Sequence, residues 1–379
     1  MDKEQEQLIE RIKAVPTDDY GYCIQTISKL LRDNYKHTHS EEFVTSFNQV
    51  MTDKFPDRAN DYDQMIADVT MQDDAEFVKR IHAITAVDPV RANFEMSLYI
   101  RRMEDDFDQF TPKKNIQNLS IYDELDLFQF IYHNEPGTEL MPTVRDYAGI
   151  YIEFAKVQIK ANEWREAIES YQQALLWNPY DVETIYALAE LYQEMEQYGM
   201  SYPTILNGLS YSLRVEDLAY GFALIGDFYY RKEDYDKAYM LYNISLMWDD
   251  NDVASEGLEI LEALDRDWPE VLEGKEQEAF LEELGLNEYP SIDMLTALKE
   301  AAIRFYQNDQ YEAAYEYFAI YEDILGNVDP EVSAILDKIE TEHPDVLMED
   351  FDAHDHSHHD HDHDHEHHHH NHDEHHHHH

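Results

Sequence analysis

Apolar residues recur at i, i+3, i+4 and i+7 along much of the chain, as in EFVKRIHAITAV, VETIYALAELYQEMEQY and AAIRFYQNDQYEAAYEYFAIYEDIL. That spacing lines one face of a helix. No segment shows sustained period-two alternation beside hairpin turn residues, so strands are not expected. Eleven glycines in 379 residues are few, in keeping with helices. The pattern predicts an all-α fold.

The helices come in pairs. YIEFAKVQIKANEWREAIESYQQALLWNP predicts two amphipathic helices that divide near Ala161 and Asn162 and stop at Asn178-Pro179. Pro179 cannot continue the helix before it but fits the first turn of the next. In this segment Tyr151, Phe154 and Ala155, then Trp164, Ala167, Ile168, Tyr171, Ala174, Leu175 and Pro179, follow one order of large and small positions. A second copy holds Ile185, Leu188, Ala189, Tyr192, Tyr198, Ser201 and Ile205, with Pro203 in the early turns of its second helix. A third holds Phe222, Ile225, Gly226, Tyr229, Tyr235, Ala238, Tyr242 and Leu246, and a later one Leu298, Ala302, Phe305, Tyr311, Ala314 and Phe318. The matched small residues Ala167, Ser201, Ala238 and Ala314 lie 34, 37 and 76 residues apart. Because 76 is two steps of 38, a degenerate hairpin is expected over about 251–289, with SEGLEILEALDRDW and KEQEAFLEELG as its helices.

This pattern resembles the tetratricopeptide repeat, a unit of two antiparallel helices. The resemblance implies a helical-hairpin solenoid of about five hairpins over 144–325, in which small residues let backbones approach and aromatic residues fill the layers. DPEVSAILDKIETEH, with Asp329 as N-cap and Pro330 in the first turn, is expected to cap it within 326–345. Residues 1–135 are read as a helical region of unknown type. There FVKRIHAITAVDPVRANFEMSLYIRRM has a helix, Asp-Pro, helix arrangement, read as either a diverged hairpin or part of a separate bundle, and FTPKKNIQNLS and HNEPGTELMP are read as breaks. Residues 346–379 are expected to be a disordered tail.

Charge narrows the function. The formal net charge is −54. The tail's seven acids leave 75 against 28 Lys plus Arg elsewhere, so the body alone stands near −47. Such a surface repels nucleic-acid phosphates and anionic headgroups and favours basic peptides or metal ions. Neither a signal peptide nor a spanning helix is legible, and a cytoplasmic location is expected. Cys23, at helical spacing with Ile27 and Leu30, reads as a buried thiol; a catalytic role lacks any local signature. P-loop, GxGxxG, GxSxG and HExxH motifs are absent, so no enzyme is expected and no cofactor is required. Acid pairs such as Asp105-Asp106 and Asp249-Asp250 follow from composition.

The tetratricopeptide resemblance implies a binding module, with partner peptides held in a groove lined by first helices. Positions facing that groove are Ile152, Lys156 and Ile159; Tyr186, Glu190 and Gln193; Ala223, Asp227 and Tyr230. Apart from Lys156 they do not match the family's clamp for acidic chaperone tails. Glu190 and Asp227 beside Tyr186 and Tyr230 suit a basic or aromatic segment.

Residues 354–379 hold 17 histidines, seven acids, one Ser and one Asn. Neutral imidazoles bind Zn, Ni, Co and Cu, and carboxylates complete a shell. Candidate ligands are His354, His356, His358, His359, His361, His363, His365, His367, His368, His369, His370 and His372, while the final five histidines also read as a tag. The tail is similar to those of some metallochaperones and metal transporters, whose nucleotide-binding motif and membrane spans this chain lacks. His37 and His39 read as solvated loop residues and His82 as a structural one; His133 and His343 are scattered, and none of the five is expected to be catalytic.

Overall fold

The computed structural model describes residues 3–17, 23, 26–27, 30–31, 34, 41–56, 74–104, 115–143, 145–264, 266–286, 289–326 and 329–344. The fold of the described residues is all-α apart from two short strands. Among the described residues no helix is long and apolar enough to cross a membrane. Two compact units divide at Leu298 and Lys299.

The first unit opens with α1 (Lys3–Ala14) packed on α2 (Glu41–Lys54). Cys23, Ile27 and Leu31 are buried with them, and burial pushes the Cys23 thiol pKa up, so the thiol is protonated and inert. Next come α3 (Asp74–Thr85) and α4 (Pro89–Glu104), with Asp88 accepting from Arg91 N–H at the start of α4.

Three tight hairpins follow. They are α6 (Tyr147–Lys160) with α7 (Trp164–Trp177), α8 (Val182–Glu194) with α9 (Tyr198–Tyr211), and α10 (Val215–Arg231) with α11 (Tyr235–Trp248). Each second helix packs on the next first helix, α7 on α8, α9 on α10, and α11 on α12 (Asp252–Glu262). First helices also meet, α8 with α10 and α10 with α12. The pair α3 and α4 packs on α6 in the same way, both helices touching it.

Phe77, Met96, Tyr99, Tyr151 and Phe154 therefore share one core, and compactness does not break near residue 135. The expected boundary there corresponds to an insertion. Its elements are β1 (Ile116–Leu119), α5 (Glu124–His133) and β2 (Glu139–Pro142), with β1 parallel to β2 and Ile116 opposite Glu139. Four-residue strands are too short to carry a legible period of two, which is why they read as breaks. The insertion braces hairpin ends: Ser120 N–H donates to the Trp177 carbonyl (2.8 Å) and the Gln129 amide to the Tyr211 carbonyl (2.6 Å).

One turn recurs within the hairpins. Asn162, Glu196, Glu233 and, in the second unit, Asp309 have φ of 59, 56, 62 and 60°. The N–H after each bonds back five residues, from Glu163 to Gln158 (2.8 Å), Gln197 to Tyr192 (2.7 Å), Asp234 to Tyr229 (3.0 Å) and Gln310 to Phe305 (3.0 Å). This is the Schellman closure of a helix C-terminus. The turns fall at the same intervals of 34, 37 and 76 as the small residues. Glutamate carries a Cβ penalty in this left-handed region that glycine lacks. Glu196→Gly and Glu233→Gly are each expected to stabilise the chain by about 0.5–1 kcal/mol, read as a raised urea midpoint.

The expected degenerate hairpin differs from the others. Its first helix, α12, ends at Glu262 instead of running to Trp268. Trp268 instead stacks on Tyr239 at 4.9 Å beneath Arg266. No residue of α13 (Lys275–Leu284) is buried.

The second unit begins inside α14 (Ile292–Gln307) and continues with α15 (Tyr311–Leu325) and α16 (Pro330–Glu342). Ala302, Ala314, Phe318, Val332 and Ile339 are buried there. Asp329 caps α16 by accepting from Glu331 N–H, and Lys299 Nζ reaches the same side chain at 2.6 Å.

Candidate interaction surface on the first helices

The residues expected to face a groove fall on α6, α8 and α10, and they fare differently. Lys156 is exposed, Ile152, Ile159, Glu190, Asp227 and Tyr230 are half-buried, and Tyr186, Gln193 and Ala223 are buried. Tyr186, 2% exposed, is not available to a ligand. Its ring fills a slot between Gly208 and Gly221, where an added Cβ would lie 2.4 and 2.3 Å from Tyr186 atoms. Its hydroxyl meets Ser212 Oγ at 2.9 Å. Gln193 is likewise spent inside, donating to the Leu224 carbonyl at 2.9 Å. Side chains directed at the next hairpin serve packing.

Of the remaining positions Glu190 and Asp227, with Glu153 and Glu194 on the first helices as well, form a run of carboxylates tied between helices. Tyr220 of α10 donates to Glu190 of α8 at 2.5 Å. Arg231 of α10 pairs with Glu194 of α8, and Tyr242 of α11 donates to Asp227 of α10. At the head of the run His82 of α3 pairs with Glu153 of α6, which also accepts from Lys156 at 2.9 Å.

These carboxyls sit in contrasting fields. Burial, with Asp227 and Glu194 nearby, pushes Glu190 up to about 7 against the opposing bond from Tyr220. At Glu153 burial works upward too, but the bonds from His82 and Lys156 hold it down at about 2. The bond to Glu153 raises His82 in turn. A cation arriving beside Glu190 would favour its charged form, so binding there couples to proton release.

Glu153, Glu194, Tyr220 and Arg231 were absent from the residues predicted to line the surface. Three were within reach of a simple rule: Glu153 lies three before Lys156, Glu194 four after Glu190 and Arg231 four after Asp227, all on one helical face. Tyr220 carried no such signal, since its partner lies 30 residues away.

The twelve candidate metal ligands, His354, His356, His358, His359, His361, His363, His365, His367, His368, His369, His370 and His372, lie outside the described residues, as do His37, His39, Asp105 and Asp106. Among the described residues no group of three His, Cys, Asp or Glu side chains is placed to hold a metal ion. His133 is packed among Tyr132, Tyr180 and Tyr211, and His343 stacks on Tyr311. Neither comparison with protein families nor comparison with curated proteins finds a match for this chain.

Proposed function

We propose that this chain is a non-enzymatic scaffold of tetratricopeptide type, cytoplasmic, whose stacked first helices hold a basic segment of a partner protein. The observation that supports it is the run Glu153, Glu190, Glu194 and Asp227 on successive first helices, with Tyr230 beside it. Closely spaced carboxylates on a body near −47 attract a cationic chain and speed its encounter. Tyr230 offers a π-face to an arginine or lysine.

The test uses a fluorescein-labelled, unstructured Arg/Ser peptide and the full chain. The paired changes Glu194→Gln and Tyr230→Ala are expected to weaken binding about tenfold, near 1.4 kcal/mol. Unchanged affinity would remove the groove proposal. Changing Lys156 to Gln is expected to strengthen binding by a smaller factor.

A second reading makes metal handling primary, with the hairpins docking a recipient apoprotein. It is favoured by 17 histidines in the last 26 residues. On this reading the tail binds several zinc or nickel ions in calorimetry, a form ending at Ala353 binds none, and the heat fades below the histidine pKa of about 6.5. Equal binding by both forms would dismiss it.

A further inference from the structure

The hairpin that departs from the repeat leaves space beside α11. Between Glu262 and Lys275 the described residues are not helical, and the chain is pinned to α11 by Trp268 stacked on Tyr239 and by Arg266 paired with Asp236. α13 is then tethered near both ends, the Gln277 amide reaching Met247 Sδ at 3.8 Å and the Tyr202 hydroxyl donating to the Leu284 carbonyl at 3.2 Å. No residue of α13 is buried, so it stands off from the repeats. A cleft of about 380 Å³ remains between α11, the non-helical chain and α13.

The cleft is apolar within and acidic at its rim. Met240, Val271, Leu272 and Phe280 line it, Met240 being buried. Four charged residues line it too, and two of them bring their own counter-charge: Lys237 Nζ is held by Asp234 at 2.9 Å, and Asp236 by Arg266. The other two, Glu270 and Glu276, are exposed and have no ionic partner among the described residues. Residues 269–284 hold six glutamates and one lysine, Lys275, which does not line the cleft.

We propose that this cleft binds a small amphipathic organic cation, an amine carried on an apolar body. Its volume falls in the range of small-molecule sites, about 300–1,000 Å³, and an apolar lining with a few polar groups is their usual composition. Contact of the body with Met240, Leu272 and Phe280 removes apolar surface from water, which supplies affinity without regard to charge. Glu270 and Glu276 then select the sign: an amine is attracted, and a carboxylate or phosphate on the same body is repelled. The site is independent of the first-helix run.

The test uses the full chain and three dansyl probes of one apolar body: dansylcadaverine, which ends in an ammonium, its neutral N-pentyl analogue, and an analogue ending in a carboxylate. Dansyl emission reads binding. The cation is expected to bind about tenfold more tightly than the neutral probe, with the anion weakest. Changing Glu270 and Glu276 together to Gln is expected to bring the cation to the affinity of the neutral probe, whose own binding stays the same. Val271→Trp, which fills the cleft from a position 38% exposed, is expected to abolish binding of all three. Both variants are expected to keep the melting temperature within about two degrees, as exposed substitutions do. Should the tryptophan variant unfold, the glutamine pair alone decides. Three equal affinities overturn the proposal, as does a preference for the cation that survives the glutamine changes. Displacement of dansylcadaverine by the unstructured Arg/Ser peptide would place the amine on the first helices and overturn the cleft. Tighter, Val271-dependent binding of an amphipathic Leu/Lys peptide would make it a peptide groove instead.

Discussion

Replacing Tyr186 by alanine is expected to cost about 3–5 kcal/mol of stability, the range for deleting a large buried ring. The ring is 2% exposed and sits where α8, α9 and α10 converge, in a slot that exists because Gly208 and Gly221 have no side chain. Removing it leaves a cavity that two glycine-lined backbones cannot collapse to fill, and leaves the Ser212 hydroxyl, which met it at 2.9 Å, with only its bond to the Gly208 carbonyl. Tyr186→Phe keeps the ring and is expected to cost about 1 kcal/mol, the value of one hydrogen bond. Urea unfolding reads both. The alanine variant should unfold at a much lower midpoint with little change in slope, and an unchanged midpoint would mean that the ring lies at the surface.

Glu190→Gln is expected to stabilise the chain at pH 8 and to do little at pH 4.5. The native carboxyl titrates at about 7, above the ordinary 4.5, because burial disfavours its charged form. A raised carboxyl pKa means that the native state binds the proton more tightly than the unfolded chain. The associated stability is complete below 4.5 and is lost as pH rises through about 7. Glutamine keeps an acceptor for the Tyr220 hydroxyl and never takes the charge. The variant's advantage should therefore grow between pH 4.5 and 7, then level off at about 1–3 kcal/mol. Asp126 and Asp217, each also pushed up to about 7 chiefly by burial, give the parent chain the same trend, while Glu153, held at about 2, loses its contribution only in strong acid. Unfolding midpoints at pH 4.5, 6 and 8 decide it, and a pH-independent difference would refute the burial of Glu190.

The helical class was legible because apolar periodicity is a local property, and the hairpins because their small residues recur at 34, 37 and 76. The turn residues Asn162, Glu196, Glu233 and Asp309 keep those intervals, yet only Asn162 and Asp309 are residues that tolerate the left-handed region well enough to announce it. Tyr186 was misplaced for a different reason. Aligning one hairpin on another locates the face of a helix, but whether a tyrosine there is exposed depends on Gly208 and Gly221, 22 and 35 residues further along. The packing of α3 and α4 on α6 was hidden by the insertion between them, whose four-residue strands leave no periodic trace. Of the candidate surface, Lys156, Glu190, Asp227 and Tyr230 were in view from the sequence; the bonds by which phenols and an arginine tie those acids together were not, because they join different helices.

The acids of the first helices hold neighbouring helices together, and on the proposed function they also set the field that a partner meets. Each bond from Tyr220, Arg231 or Tyr242 orients a carboxylate without cancelling the acidity of the whole surface. The measurement that tests this most directly is amide hydrogen exchange of the full chain with and without the unstructured Arg/Ser peptide. Slower exchange over Tyr147–Lys160, Val182–Glu194 and Val215–Arg231, with little change in Trp164–Trp177 or Tyr198–Tyr211, is the result predicted for a segment held along the first helices. Protection confined to the second helices or to Glu124–His133, or no protection at saturating peptide, would contradict it.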